Sequence, residues 1–238
     1  MTLMRSAMPV AILCGLVASA TSASAGPPPP RPPVVRGNTQ ADESVPARQT
    51  QADDYTRYEL LDPASASFRI LYEVTATTAG AKHFWNAIRK GSAASNESVT
   101  DPASGRPLKF VEVSGAEARA NGYANADPDT RYIQIDLPRP VPKEGEMRLL
   151  IDKTYKDEKS YFVEEKSGLL VFSRSLGIKR NSVVLPPGYE VVACNYPSQV
   201  VTEPAPSGGM APPSRLRLSF MNIGPDAVSY VVKARKTR

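Results

Sequence analysis

Apolar and polar residues alternate along much of the chain, and this pattern predicts β-strands. The segment Phe68–Val74 has an apolar residue at every second position, and Tyr132–Leu137, Arg215–Phe220 and Val228–Val232 repeat the pattern. A period of two residues is typical of strands with one buried face and one solvated face. The four segments are therefore predicted to belong to sheets that cover a common core.

Two further strands are predicted at Met147–Ile151 and Leu169–Phe172. Because short strands and turn signals follow one another at regular intervals, the fold class predicted is all-β, an antiparallel β-sandwich. The only helices predicted are short, at Gly80–Lys90 and Gly115–Asn121. Strands and helices do not alternate, which argues against a doubly wound nucleotide-binding sheet.

The stretch Leu176–Val201 contains the clearest turn signal of the chain. Two apolar runs, Val183–Leu185 and Val191–Cys194, flank the tripeptide Pro186-Pro187-Gly188. Proline presets one backbone angle and glycine accepts a positive φ, so the tripeptide predicts a corner or a hairpin between two strands.

The N-terminal residues 1–25 have the features of a secretory signal peptide. Arg5 supplies a positive charge, Ala7–Ala20 is apolar, and Ala23-Ser24-Ala25 provides small residues for cleavage after Ala25. Retention of this segment as a membrane anchor is the alternative. Cleavage predicts a periplasmic or secreted protein with no transmembrane segment in the mature chain.

Residues 26–54 predict a Pro-rich disordered linker. The segment begins with GPPPPRPPVVRG and contains no phenylalanine, tyrosine, leucine or isoleucine. It cannot bury enough apolar area to offset the entropy of ordering, and its proline run favours an extended spacer. The β-sandwich domain is therefore assigned to residues 55–238.

Few side chains suited to catalysis are present. His83 is the only histidine, and Cys194 is the only cysteine outside the signal peptide. Common zinc sites need several such ligands, so no metal site of that kind and no cofactor are predicted. A Cys194–His83 dyad is formally possible, but the simpler interpretation is a buried cysteine and a hydrogen-bonded histidine.

Carboxylate chemistry receives little support from the local sequence. Glu164 and Glu165 are adjacent, and on a strand they point to opposite faces, so they cannot act together. Asn125, Asp127 and Asp129 have the oxygen-ligand spacing of a calcium loop but lack its glycine and distal glutamate. Ordinary turn formation is the alternative interpretation of these three residues.

Aromatic residues suggest a platform that binds sugars or peptides, although aromatic residues on strands are often core residues. The candidates are Trp85, Tyr55, Tyr58, Tyr123, Tyr155, Tyr161, Tyr189 and Tyr196. The predicted ligand-binding residues are Trp85, Tyr123 and Tyr161, with Lys153 and Lys156 from a mixed charged cluster. The formal net charge of +5 favours anionic envelope surfaces or acidic partners. No nucleic-acid-binding module is recognisable, so nucleic acid is not a predicted partner.

Three segments resemble the N-terminal β domain of gluzincin-type zinc aminopeptidases. They are Tyr58–Tyr72, Leu137–Tyr155 with its proline-bearing loop and Gly145, and Val184–Tyr189. The resemblance implies the fold of that domain and not the enzymatic activity, because the zinc-binding helix and the catalytic domain are missing. The chain also resembles uncharacterised exported proteins of Gram-negative bacteria.

The sequence therefore predicts a non-catalytic binding or scaffold protein of the bacterial envelope. Its predicted partner is a protein, a peptide or an envelope polymer. Two alternatives remain open: a hydrolase that uses acidic residues or Cys194, and a purely structural envelope subunit.

Overall fold

The computed structural model describes residues 54–204 and 214–237. These residues form fifteen β-strands, one α-helix and one short 3₁₀ helix at Pro63–Ser65. The predicted all-β sandwich is confirmed. The predicted signal peptide lies outside the described residues, as does all of the predicted linker except Asp54.

The strands form three sheets. The largest has eight strands in the spatial order β13 (Gln199–Glu203), β14 (Arg215–Met221), β11 (Arg180–Val184), β1 (Tyr55–Leu60), β2 (Ser67–Ala76), β8 (Met147–Lys156), β4 (Ala93–Asp101) and β5 (Arg106–Pro107). A second has four, β12 (Tyr189–Cys194), β15 (Val228–Lys236), β10 (Leu170–Leu176) and β9 (Tyr161–Val163). The third has three, β3 (His83–Ile88), β7 (Arg131–Asp136) and β6 (Phe110–Ser114).

Neighbouring strands pair antiparallel throughout these sheets, with one exception. Strands β1 and β11 run parallel, and Tyr55 is the partner of Arg180. The pairing joins segments that lie 125 positions apart in the chain. It places the beginnings of both strands at the same end of the eight-stranded sheet.

One face of the eight-stranded sheet packs against both smaller sheets. Phe68 from β2 and Leu149 from β8 belong to a single buried cluster with Phe172 from β10 and Ile133 from β7. Along β8 the buried side chains occupy every second position, as the predicted alternation requires. Burial of apolar area, worth about 25 cal/mol per Å², therefore holds the three sheets together.

The segment Pro186-Pro187-Gly188 is a corner and not a hairpin. Strand β11 ends at Val184 in the eight-stranded sheet, whereas β12 begins at Tyr189 in the four-stranded sheet. Gly188 has a φ of +74°, a conformation that other residues adopt only with strain. The corner thus carries the chain from one layer of the sandwich to the other.

The two predicted helices have different outcomes. Gly80–Lys90 is not helical, because β3 occupies its centre and pairs in register with β7. The second is confirmed as α1 (Gly115–Ala120), which begins with a capping box between Ser114 and Glu117. Gly115 is required there, since a Cβ atom at that position would lie 2.0 Å from the backbone oxygen of Asp127.

A buried ion pair connects the four-stranded sheet to the end of β8. The Arg174 guanidinium of β10 lies 3.1 Å from the Asp157 carboxylate, and the two side chains are 6% and 9% exposed. Asp157 also accepts hydrogen bonds from the backbone and hydroxyl of Ser160 and from the hydroxyl of Ser92. Burial alone would raise the pKa of Asp157, but these hydrogen bonds and the arginine hold it below its ordinary value.

Aromatic rings surround the arginine of this pair. The Arg174 Cζ atom lies 5.2 Å from the ring centre of Phe68, 5.5 Å from that of Tyr155 and 6.0 Å from that of Tyr58. Cation–π attraction strengthens when the cation is desolvated, so the rings stabilise the buried charge. The pair thus connects the core of the eight-stranded sheet to β10.

Replacement of Arg174 by alanine is expected to lower the free energy of unfolding by about 3 kcal/mol, because it leaves the buried charge of Asp157 without its partner. Urea denaturation measures the change. Lys156→Ala is the matched control, because its ion pair with Glu158, at 3.4 Å, is exposed and its loss is expected to change stability by less than about 0.5 kcal/mol. Equal effects of the two substitutions would show that the buried pair contributes no more than an exposed one.

Candidate binding site

Two of the predicted ligand-binding residues form a stacked aromatic pair. The rings of Trp85 and Tyr123 lie 5.6 Å apart between centroids, with an interplanar angle of 11°. Trp85 lies on β3, where Phe84 and Ile88 contact the main core. Trp85 therefore projects from the opposite face of the three-stranded sheet.

Local contacts hold Tyr123 in this position. It follows α1, and its ring meets that of Tyr132 edge-on at 5.5 Å. The Asn121 amide donates a hydrogen bond of 2.9 Å to Gln134 on β7. Fully buried Ala118 packs with Tyr132 beneath the aromatic pair. Helix α1 and the residues after it are thus fixed to the sheet, which keeps the stack rigid.

The stacked pair borders a concave region of about 620 Å³, here named the aromatic hollow. Its lining combines aromatic, small and polar residues: Asp54, Tyr72, Thr75, Ala76, Thr78, Ala81, His83, Phe84, Trp85, Gly122, Tyr123, Gly177, Ile178 and Lys179. The volume falls within the range of about 300 to 1,000 Å³ that is usual for ligand pockets.

A buried carboxylate lies in the lining of the aromatic hollow. Asp54 is 6% exposed and accepts a hydrogen bond of 3.0 Å from the backbone N–H of Thr75. Burial raises the pKa of Tyr72, and the nearby negative charge of Asp54 raises it further. The sequence analysis assigns Asp54 to the end of the linker, because no local sequence pattern predicts its hydrogen bond to β2.

Two further charged or titratable groups line the aromatic hollow. His83 Nδ1 lies 3.0 Å from Asp136 and 3.4 Å from the Gln134 amide, and its ring is 6.0 Å from that of Trp85. The Lys179 ammonium donates a hydrogen bond to the carbonyl of Gly224. The aromatic hollow therefore offers a carboxylate, an imidazole and an ammonium group beside an aromatic wall.

The structure does not bring Tyr161 to this site. Its side chain is fully buried, and its hydroxyl donates a hydrogen bond of 2.7 Å to the carbonyl of Leu61. Tyr58 and Tyr155 are likewise core residues. Trp85 and Tyr123 therefore lie together, whereas Tyr161 lies in the interior.

Lys153 and Lys156 do not form a shared basic surface. Lys153 is 3% exposed, donates a hydrogen bond to the Asn86 side chain and lies 4.9 Å from the centre of the Tyr155 ring. Lys156 is exposed and pairs with Glu158. Alternation along β8 explains the difference, because odd-numbered positions of this strand face the core.

Asn125, Asp127 and Asp129, which have the ligand spacing of a calcium loop, lie in a turn-rich segment of the structure. The Asp127 carboxylate accepts 2.9 Å hydrogen bonds from the Asp129 backbone and the Thr130 hydroxyl, and lies 3.2 Å from the Lys90 ammonium. These contacts lower the pKa of Asp127. Asn125 is exposed. Across residues 54–204 and 214–237, no group of three or more His, Cys, Asp or Glu side chains is placed to hold a metal ion.

Glu164 and Glu165 follow β9 and do not lie on a strand. Glu164 forms an ion pair of 3.1 Å with Lys233. Cys194 is half-buried, and its thiol lies 3.1 Å from the carbonyl of Tyr196 and 3.4 Å from the hydroxyl of Tyr230. Among the described residues, Cys194 has no hydrogen bond to histidine, so the Cys–His dyad is not formed.

Structural comparison finds similarity to solved structures of a zinc metallopeptidase and an aminopeptidase. The M1 zinc metallopeptidase from Deinococcus radiodurans is 11% identical, with a TM-score of 0.45, and the match covers 76% of this chain and 40% of that one. An aminopeptidase N family protein from Idiomarina loihiensis is 11% identical, with a TM-score of 0.41, covering 76% of this chain and 29% of that one.

The chain therefore spans less than half the length of each of these proteins. No protein-family model matches the chain, and no curated protein matches it. No helix within the described part of the chain has the length and apolar character needed to cross a membrane.

Stability is expected to rise with pH above about 8, because burial lowers the pKa of Lys153 to about 8. The unfolded lysine titrates near 10.4, so between these values the unfolded chain binds more protons than the folded one. The expected gain is roughly 1 kcal/mol per pH unit between pH 8 and 9.5. Urea denaturation across this range measures it.

Lys153→Met is expected to lose this slope, whereas Lys156→Met retains it, because Lys156 is exposed. The window ends below pH 10, where ionisation of tyrosines in the unfolded chain begins to act in the opposite direction. An identical slope in the two variants would show that Lys153 is not the group responsible.

Proposed function

We propose that this chain is an exported, non-catalytic binding protein of the bacterial envelope. It holds a segment of a protein, a peptide or an envelope polymer in the aromatic hollow. The observation that carries the proposal is the stacked pair of Trp85 and Tyr123 at the border of a concave region with a buried carboxylate. Export and the envelope location rest on the signal-peptide features of residues 1–25.

The stacked pair favours a binding function because it is rigid and amphipathic. Aromatic side chains offer a large contact area, and fixing their two χ angles costs little conformational entropy. Here the rings are already ordered by each other and by Tyr132. Sugar rings and the flat faces of peptide groups pack well on such a surface. Because the two rings are already ordered in the unbound protein, ligand binding does not have to offset the entropy of ordering them.

The polar groups of the aromatic hollow are suited to orient a ligand rather than to react with it. Asp54 is the only carboxylate in the lining, so the described lining contains no carboxylate pair of the kind that glycosidases use. The lining also includes no cysteine or serine beside His83. His83 is instead held by Asp136, which fixes the direction in which its ring offers a hydrogen bond.

Trp85 is the only tryptophan of the chain, so its fluorescence reports directly on the aromatic hollow. We expect this emission to change on titration with ligands selected from an array of cell-wall glycan fragments and short peptides. Trp85→Ala and Tyr123→Ala are expected to weaken binding at least tenfold by calorimetry, since each removes about half of the stack. A tenfold loss corresponds to about 1.4 kcal/mol.

Val111→Ala is the matched control, because Val111 is exposed on the three-stranded sheet and is absent from the lining of the aromatic hollow. It is expected to bind the selected ligand as the wild type does. Ligands that bind both aromatic variants with wild-type affinity would overturn the proposal. An array in which neither a glycan fragment nor a peptide binds would overturn it as well.

A separate experiment tests the alternative that the protein is a hydrolase using Cys194. The hydrogen bonds and partial burial of Cys194 predict slow alkylation of the native mature protein and rapid alkylation after unfolding in urea. Mass spectrometry over time measures both rates. Rapid labelling of the native thiol, accompanied by loss of a peptidase or esterase activity, would favour the hydrolase.

A further inference from the structure

Strand β3 lies at the edge of the three-stranded sheet, whose spatial order is β3, β7 and β6. One edge of β3 pairs with β7 along its whole length, from His83 opposite Asp136 to Ile88 opposite Arg131. Within residues 54–204 and 214–237, no strand pairs with its other edge, here named the open edge of β3. Main-chain groups on the open edge are therefore available to a further strand.

The hydrogen-bond pattern shows which residues supply these groups. The N–H of Leu137 donates to the carbonyl of Lys82, the residue before β3. In an antiparallel pair, residues that bond to the neighbouring strand alternate with residues whose N–H and C=O groups point away from it. Even-numbered residues of β3 therefore bond to β7, whereas His83, Trp85 and Ala87 direct their main-chain groups to the open edge.

The aromatic hollow runs along this open edge. Its lining includes the three consecutive residues His83, Phe84 and Trp85. Side chains of consecutive residues point to opposite faces of a strand, so a region that contacts all three lies beside the edge of the strand and not over one face. Because β7 occupies one edge of β3, the region lies at the open one.

The open edge of β3 lacks the features that commonly protect sheet edges, which are charges, prolines, bulges or a short length. Three other edge strands have such a feature. Strand β5 consists of Arg106 and Pro107, β9 has three residues, and β12 has a register shift between Val191 and Ala193. Strand β3 has six residues in continuous register, none of them proline, lysine, arginine or an acid. Its open edge is therefore suited to pair with another chain.

We infer that the aromatic hollow binds an extended peptide segment of another protein, which pairs as an added strand with the open edge of β3. Donors and acceptors repeat along this edge at every second residue, about 7 Å apart, and the main chain of a strand repeats its own groups at the same interval. A peptide residue opposite Trp85 places its side chain on the face that carries the stack of Trp85 and Tyr123, where an apolar side chain packs.

A single strand fits this position better than the edge of a second folded copy. Much of the lining comes from β2 and from the segment between β10 and β11, including Tyr72, Ile178 and Lys179. These residues enclose the open edge in a concave region, which admits one strand more readily than a whole sheet. The inference rests on the proposed function, because it names the class of ligand for the same hollow.

Single-site N-methylation of the hexapeptide acetyl-Lys-Val-Thr-Val-Thr-Lys-amide tests the main-chain pairing. Its β-branched residues favour an extended chain, and Trp85 emission measures its affinity for the mature protein. N-methylation at alternate positions is expected to weaken binding at least tenfold, because it removes a donor and blocks the approach to β3. N-methylation at the intervening positions is the matched control and is expected to change the affinity less than threefold, because those N–H groups point away from β3.

Three results of this scan would overturn the inference. They are equal losses at all positions, no loss at any position, and no binding of the unmodified hexapeptide at millimolar concentration.

Hydrogen exchange of the wild-type protein locates the bound peptide independently. The main-chain N–H groups of His83 and Trp85 are expected to exchange at least fivefold more slowly when the hexapeptide is bound. Those of Phe110 and Glu112 are the control, because the same alternation directs them to the outer edge of β6, on the other side of the sheet. Equal slowing at all four residues, or unchanged exchange at His83 and Trp85, would contradict the inference.

The outcomes also separate this inference from the proposed function. If glycan fragments bind in a manner that depends on Trp85 and peptides do not bind, the proposed function stands and the inference fails. If neither class binds, both fail. Sedimentation of the protein without peptide is expected to show a monomer. A dimer with slow exchange at His83 and Trp85 would show that a second copy occupies the open edge, and the inference would be wrong.

Discussion

The ion pair between Arg174 and Asp157 is the interaction on which the arrangement of the sheets depends. Asp157 follows β8, Arg174 lies on β10, and Ser92 precedes β4. A buried carboxylate is tolerated only when its hydrogen-bond donors are in place, so these segments must take their positions together. A shift of β10 by one residue would direct the arginine away from the aromatic rings and leave the acid without its partner.

The parallel pair of β1 and β11 brings the beginnings of both strands to the aromatic hollow, because Asp54 and Lys179 directly precede these strands and line it. Consecutive residues contribute to different concave regions, since Asp54 and Lys179 line the aromatic hollow, whereas Tyr55 and Arg180 line a second region. Side chains of successive residues point to opposite faces of a strand, which explains the separation. A slip of register in either strand would therefore alter both regions at once.

Local sequence patterns determine much of the secondary structure. Alternation predicts the long strands because burial of one face acts on every second residue, and the box of Ser114 and Glu117 begins α1 within four residues. The segment Gly80–Lys90 contains a strand because its backbone pairs with Arg131–Asp136, which lies far along the chain. The parallel neighbours β1 and β11 have no sequence signal for the same reason.

The sequence by itself predicted Trp85 and Tyr123 as ligand-binding residues and determined that histidine and cysteine are scarce. Only the tertiary structure decided that these two rings stack, that Tyr161 and Lys153 lie in the interior, and that Asp54 lines the aromatic hollow. The physical reason is the range of the interactions involved. Alternation and capping act between residues a few positions apart, whereas a ring stack or a buried carboxylate requires partners that only the folded sheets bring together.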